Sequence, residues 1–255
     1  MLLFAVVAEA QVPTRPNAVH QNQLLEDAVR RLDARLRDED TPAADRVRIR
    51  RLLSEVKRLR DPAAVGFNVV PCSSVPYVLD QVMSVTSDTV YACPVIVLGA
   101  GLRMRVEDAT VFFRADEIQA ATGAAIDGHG AAGAAGARGE DRGSTWNSRG
   151  DSDYWDALNS CRANPGHPDR GGAGEPGGNG RGGARIVFAV VPVGTVVVAT
   201  DGGVGGPGGL GGNGRLLRNG RNYYCDGCTM NCPVGPPGPS GGKGEDGFAY
   251  YLEAP

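Results

Sequence analysis

The chain has 255 residues and a formal net charge of −3; 38 residues are glycine and only 6% are aromatic. The small negative charge excludes a global attraction to nucleic acid or to anionic membranes. This length allows one or two domains, but much of the glycine supplies no side chain with which to fill a core.

The first residues indicate where the chain works. Met1–Gln11 is an apolar run with an Ala8-x-Ala10 pattern, typical of the end of a secretory signal. We therefore expect a signal peptide and linker over 1–16, with an ordinary apolar strand as the alternative. Six cysteines, an even number, also fit an oxidising compartment. Both observations predict a secreted or cell-surface protein, and no segment has the ~20 apolar residues of a membrane span.

Two helical stripes predict a helical hairpin over 17–61, which we expect to act as a short coiled-coil stem for anchoring or oligomerisation. Thr41 is the expected N-cap of the second helix and Pro42 its first-turn residue. The second helix is basic. A solvated face balanced by nearby carboxylates is the simpler interpretation, and nucleic-acid binding is not predicted. The stripes are Leu25, Val29, Leu32 and Leu36, then Ile49, Leu52, Val56 and Leu59.

The pattern becomes β-like over 65–127, where short apolar runs alternate with glycine or charged turns. Further strand-like runs at 186–200 and 248–252 are expected to return to the same base. The predicted strands are Val95–Leu98, Thr110–Phe113, Ala124–Ile126, Ile186–Val191, Thr195–Thr200 and Phe248–Leu252.

Four runs over 128–255 place glycine at every third position. A polyproline II helix has this period, and its glycine edge lets another backbone pack closely. Because each run adjoins a predicted strand, the runs are expected to form two out-and-back hairpins with tips at 140–170 and 215–234. The runs are Gly130–Gly139, Gly171–Gly183, Gly202–Gly214 and Gly235–Gly247.

These triplets resemble the polyglycine II bundles of phage tail-fibre adhesin tips and of the snow flea antifreeze protein. The resemblance implies a scaffold whose tip loops select a receptor or whose flat side meets ice. Only Gly235–Ser240 is collagen-like. The fold class predicted is mixed: an N-terminal α-helical hairpin, a small β-sheet or β-solenoid base, and four polyglycine II helices arranged as two antiparallel hairpins.

The tips carry aromatic side chains, which are effective recognition anchors on projecting loops. We expect them to bind a cell-surface glycan or protein. The alternative is a small apolar cluster that closes the tips, and both can hold together. The candidate binding residues are Trp146, Tyr154, Trp155, Tyr223 and Tyr224.

The tips also carry cysteines at Cys161, Cys225, Cys228 and Cys232. Two disulfides joining the tips are the first interpretation, with Cys72 paired to Cys93 in the β base. Four thiolates could instead close a tetrahedral zinc site, which would suit a metal-binding or redox protein.

Other candidate chemistry is weaker. Asp151, Asp153 and Asp156 could contribute to a calcium site, but they lack the EF-hand spacing. Arg149-Gly150-Asp151 spells an integrin-recognition tripeptide that a chain of this composition produces by chance. His20, His129 and His167 lie in no nucleophile motif. We therefore expect an adhesive structural protein without catalysis or cofactor, with an ice-binding or extracellular-matrix protein as the alternative.

Overall fold

A computed structural model describes residues 15–143, 146–148, 151–164, 166–219 and 229–253. The chain divides into two compact units, each built from separate stretches of sequence. Unit 1 contains Met1–His129, Gly183–Asp201 and Asp246–Pro255, and unit 2 contains Gly130–Gly182 and Gly202–Glu245.

A pair of α-helices opens unit 1 at the predicted place: α1 (Ala18–Arg37) and α2 (Ala43–Arg58). The side chain of Asn17 caps α1 by accepting hydrogen bonds from two backbone N–H groups of its first turn. The predicted cap of α2 is wrong, because α2 begins without a side-chain cap. Thr41 donates its hydroxyl instead to the carbonyl oxygen of Arg35 at 2.8 Å.

The apolar stripes of both helices lie inside the core of unit 1. Leu25, Ala28 and Val56 are fully buried and belong to the same cluster as the strand residues. This burial gives the helices their stability, since amphipathic helices depend mainly on tertiary packing. Oligomerisation through the hairpin therefore stays a prediction that would have to use its outer faces.

Two parallel sheets form the rest of unit 1. Among the described strands of both sheets, neighbours are never consecutive in the chain, and they pair in register apart from one irregularity. The first sheet has the order β1 (Asn68–Pro71), β4 (Thr89–Ala92), β7 (Thr110–Arg114), β10 (Arg185–Phe188) and β14 (Phe248–Tyr251). The second has the order β2 (Tyr77–Leu79), β5 (Val95–Leu98), β8 (Glu117–Asp127), β6 (Arg103–Val106) and β3 (Val82–Val85), with β11 (Val193–Ala199) also on β8.

An aromatic stack crosses the first sheet. The ring centroids of Tyr91 and Phe113 are 5.5 Å apart, those of Phe113 and Phe188 5.0 Å, and those of Phe188 and Tyr251 5.2 Å. These residues occupy equivalent positions on adjacent strands. Cross-strand aromatic pairs of this kind stabilise a sheet and fix its register.

A buried carboxylate joins α2 to the first sheet. Glu55 accepts hydrogen bonds from Arg58 at 2.9 Å and from Arg185 at 3.0 Å. Arg58 also pairs with Asp88 at 2.7 Å, and this hydrogen bond raises the pKa of the arginine. Because a buried charge needs partners, the network holds the helix in one orientation on the strands.

The predicted fold class is wrong. Regular structure in the described residues consists of three helices and fourteen strands, and most of the strands lie in two large parallel sheets. This is an α/β arrangement, in place of a small β base carrying a bundle of four polyglycine II helices. The glycine runs form neither α-helix nor β-strand. The strands were predicted as separate short runs. In the structure they pair with each other and with further strands to form two sheets larger than the predicted base.

The glycine runs of unit 2 nevertheless bond to each other through their backbones. We call Gly130–Gly139, Gly171–Gly180, Gly202–Gly214 and Gly235–Gly244 the glycine lattice. Gly206 is representative: its N–H donates to Gly178 at 2.8 Å, and its carbonyl accepts from Gly241 at 2.8 Å. A Cβ atom on Gly206 would overlap the carbonyl oxygen of Ala134. The absence of side chains at these glycines thus allows neighbouring backbones to approach closely on several sides.

Candidate binding site

Unit 2 also contains a small folded element formed by the loops between the glycine runs. It comprises β9 (Trp146–Ser148), α3 (Asp151–Ala163), β12 (Leu216–Asn219) and β13 (Thr229–Asn231). β12 pairs in parallel with β9 and antiparallel with β13. We call these four elements the cap. Neither the helix nor the three-stranded sheet was predicted from the sequence.

The cap has its own apolar cluster. Tyr154, Leu158 and Cys161 are buried and lie four and three residues apart, so they share one face of α3. Leu217 of β12 and Cys232 complete the cluster. Cys161 and Cys232 form a disulfide with their Cα atoms 5.8 Å apart. The bond links the helix covalently to the segment that follows β13.

A polar clamp that the sequence reading missed supports this cluster. Arg215 forms an ion pair with Asp169 at 2.8 Å, and its backbone N–H donates to the Asp169 carbonyl at 2.7 Å. The carbonyl of Arg215 accepts from Cys232 at 3.0 Å. His167 accepts from the Asp169 N–H through Nδ1 at 3.2 Å. In the sequence, the one feature that could have indicated these contacts is the position of the polar residues beside the glycine runs.

Trp155 is the exposed aromatic residue of α3. Its ring meets that of Tyr154 edge to face, with centroids 5.4 Å apart and an interplanar angle of 81°. Tyr154 is 1% exposed, whereas Trp155 is 44% exposed. The buried tyrosine thus supports an indole whose remaining surface faces solvent, an arrangement that suits a rigid anchor for a ligand.

Tyr154→Phe tests the packing of the cap. The Tyr154 hydroxyl is buried and has no hydrogen-bond partner among the described residues. Removing an unsatisfied buried polar group while keeping the ring should be neutral or stabilising by about 1 kcal/mol. Thermal unfolding followed by tryptophan fluorescence measures this, with Trp155→Phe as the exposed-residue control. A loss of more than about 1 kcal/mol would show that the hydroxyl has a partner.

The structure places the remaining predicted aromatic and acidic site residues as follows. Trp146 lies in β9, and its backbone pairs with Leu217. Asp151 and Asp153 lie in the first turn of α3, and Asp156 is exposed on the same helix. No group of three or more metal-ligating side chains occurs in the described ranges. Tyr223 and Tyr224 lie outside the described residues.

The structure pairs four of the predicted cysteines. Cys72 and Cys93 form the expected disulfide in unit 1, with Cα atoms 5.3 Å apart. Cys161 and Cys232 are bonded to each other, so they are not free thiolates for the alternative zinc site. Cys225 and Cys228 lie outside the described residues.

Two observations concern the environment of the chain. The disulfides of both units indicate oxidising conditions. Across the part of the chain that the structure describes, none of the helices has an apolar stretch of the length that a bilayer crossing requires.

His129 carries the clearest electrostatic feature outside the cap, and it belongs to unit 1. Its Nδ1 lies 2.7 Å from Asp127 and its Nε2 lies 3.3 Å from Asp201. The hydrogen bond to Asp127 raises the pKa of His129, and the same bond lowers the pKa of Asp127. This exposed triad favours a protonated imidazole; it lies in no metal-binding cluster within the described residues.

Comparison with known proteins gives no further assignment. The chain matches no protein family, no curated protein and no solved structure. Its function must therefore be inferred from the surfaces described above.

Proposed function

We propose that this chain is a secreted or cell-surface adhesive protein. Its glycine-rich segments are the scaffold, and the cap of unit 2 is the surface that binds a partner. The partner is a cell-surface glycan or protein. The proposed role involves no catalysis and no cofactor.

The half-exposed indole of Trp155 is the observation that carries this proposal. A large apolar ring left in water costs free energy in the unbound protein, and covering it with a ligand recovers that energy. The cap also restricts its movement, since Tyr154 supports it and the Cys161–Cys232 disulfide closes the cluster below. Such pre-organisation reduces the entropy cost of binding.

A sugar ring suits this anchor because it can stack its apolar C–H face on the indole while its hydroxyls remain hydrated. α3 also exposes polar side chains such as Asp156 and Arg162, which could hydrogen-bond a bound ligand. A protein partner would use the same indole as an interface hot spot.

A second candidate function uses the side of unit 2. Val204 and Leu210 are 65% and 71% exposed, and Pro207 between them is exposed as well. The three residues recur at every third position of one glycine run. This apolar row supports the alternative of an ice-binding or extracellular-matrix protein, for which regularly spaced side groups form the contact surface.

A glycan array tests the adhesive proposal and separates it from the alternative. The full chain is applied beside Trp155→Ala and the matched variant Leu210→Ala. Adhesion through the cap predicts that Trp155→Ala loses about 2 kcal/mol of binding free energy, roughly 30-fold in affinity, while Leu210→Ala binds normally. Loss in Leu210→Ala alone would favour the side surface. Equal binding by all three proteins would contradict the proposed role of the cap.

A further inference from the structure

A cleft lies wholly within unit 1, between the helical pair and strand β14. Its volume is about 500 Å³, inside the range of about 300–1,000 Å³ that ligand sites occupy. One wall is formed by α1 and α2 and the other by the strand. The wall residues used below are Arg31, Arg35, Arg48, Ala249 and Tyr251.

The strand wall offers backbone groups. β14 is the last strand of its sheet and pairs only with β10 among the described strands. Phe248 donates its N–H to Ala184 at 3.1 Å, and Leu252 donates to Phe188 at 2.9 Å. In a parallel ladder, alternate residues direct their backbone groups to the same side. Ala249 and Tyr251 therefore direct theirs away from β10, where an added strand would pair.

The helical wall also contacts the chain at the end of the strand. Arg31 donates a hydrogen bond to the carbonyl oxygen of Leu252, just beyond β14. Ala249–Tyr251 lines the cleft, so the outward backbone groups of Ala249 and Tyr251 lie beside it.

The helical wall offers positive charge. Arg35 and Arg48 are exposed, and neither side chain has an ion-pair partner in the described residues. Asp45 and Glu253 also line the cleft, but with Arg31 the lining has three arginines against two carboxylates and is net positive. Two unpaired guanidinium groups opposite an open strand edge complement an extended segment with acidic side chains.

We propose that β14 accepts an additional β-strand from an acidic peptide segment of a partner protein. Ala249 and Tyr251 supply the backbone hydrogen bonds, while Arg35 and Arg48 bind the carboxylates. The ion pairs between these arginines and the peptide carboxylates select an acidic segment, and the backbone hydrogen bonds add affinity that does not depend on sequence. This site uses residues of unit 1 only and does not depend on the adhesive role of the cap.

The test is fluorescence anisotropy of the full chain with a short labelled peptide of alternating Val and Glu. Two matched peptides carry Lys in place of Glu, or backbone N-methyl groups on the residues that would pair. The protein variants are Arg35→Gln with Arg48→Gln, and the control pair Arg37→Gln with Arg50→Gln on the same two helices. All four arginines are exposed, so the fold should survive; circular dichroism checks this.

The Val-Glu peptide should bind at least about tenfold more tightly than the Val-Lys peptide. The Arg35 and Arg48 double variant should lose about tenfold, the control pair should stay within about twofold, and N-methylation should abolish binding. Unchanged affinity for the N-methylated peptide or in the Arg35 and Arg48 variant overturns the proposal. It is also overturned if no peptide binds, or if a heparin-derived oligosaccharide binds through Arg35 and Arg48 in its place.

Discussion

Gly206→Ala is expected to abolish the native fold of unit 2. Gly206 contacts three other glycine runs: its N–H bonds to Gly178, its carbonyl accepts from Gly241, and its Cα faces Ala134. An added methyl group would overlap the carbonyl of Ala134, and a backbone atom cannot move aside as the end of a flexible side chain can. The overlap would separate the runs and break several hydrogen bonds together. The expected loss is about 4 kcal/mol or more.

Tryptophan fluorescence reports this change selectively, because both tryptophans, Trp146 and Trp155, belong to unit 2. Two alanine variants are matched controls. A Cβ on Gly143 meets nothing within 4 Å, and one on Gly242 meets only the Asn179 side chain, at 3.4 Å. Both should unfold within about 1 kcal/mol of the wild type. A native-like transition for Gly206→Ala would show that the runs do not pack as described.

Removal of the Cys161–Cys232 disulfide has the second largest expected effect. The two cysteines are 71 residues apart in sequence, so the bond restricts a long loop in the unfolded chain. Loop-closure entropy then gives a destabilisation of about 4 kcal/mol for the double variant Cys161→Ala with Cys232→Ala. The measurement is denaturant unfolding followed by tryptophan fluorescence, with glycan or protein binding tested on the same sample.

The matched control removes the disulfide of unit 1 through Cys72→Ala with Cys93→Ala. That bond joins residues only 21 apart in sequence. It should shift the fluorescence transition far less, since neither tryptophan belongs to unit 1. If the two double variants changed that transition equally, or if the cap variant left it unchanged, the disulfide would not organise the cap.

Local patterns predicted both helices of unit 1 and about half of its strands, but not β1, β2, β3, β4 or β6. The apolar spacing of Leu25 and Val56 placed both helices, and runs such as Val95–Leu98 and Thr110–Phe113 correspond to strands. Their assembly was not predictable from those patterns. Parallel pairing joins strands that are distant in sequence, so it depends on the path of the whole chain between them. The stack of Phe113 on Phe188 forms only when those strands pair, so no local sequence pattern predicts it.

The cap was harder to predict, for a different reason. Among the α3 side chains whose burial the structure describes, only Tyr154, Leu158 and Cys161 are buried, a short stripe within a polar segment. The sequence identified Trp155 as a candidate anchor because aromatic side chains on projecting loops are effective recognition anchors. It could not show that Tyr154 is the buried support of Trp155, or that Asp169 pairs with Arg215. Those relations come from long-range packing.

The glycine lattice and the cap of unit 2 have different roles. Backbone contact between the glycine runs leaves no room for side chains at the inward positions, so chemical variety is limited to the outward positions of the runs and to the loops. Hydrogen bonds such as Asn213 N–H to Asp141 at 2.6 Å continue from the lattice into those loops. A recognition surface can therefore change in sequence while the glycines that hold it stay fixed.

Amide hydrogen exchange tests directly whether the glycine lattice is a stable scaffold for the cap, and it needs no knowledge of the ligand. The N–H groups of Gly206 and Gly209 donate to Gly178 and Glu175, both at 2.8 Å. We expect these two amides to exchange slowly and with similar protection, as members of one cooperative unit. The amide of Gly143, which has no such bond within the described residues, should exchange rapidly. Exchange of Gly206 and Gly209 as fast as that of Gly143 would contradict a glycine scaffold beneath the cap.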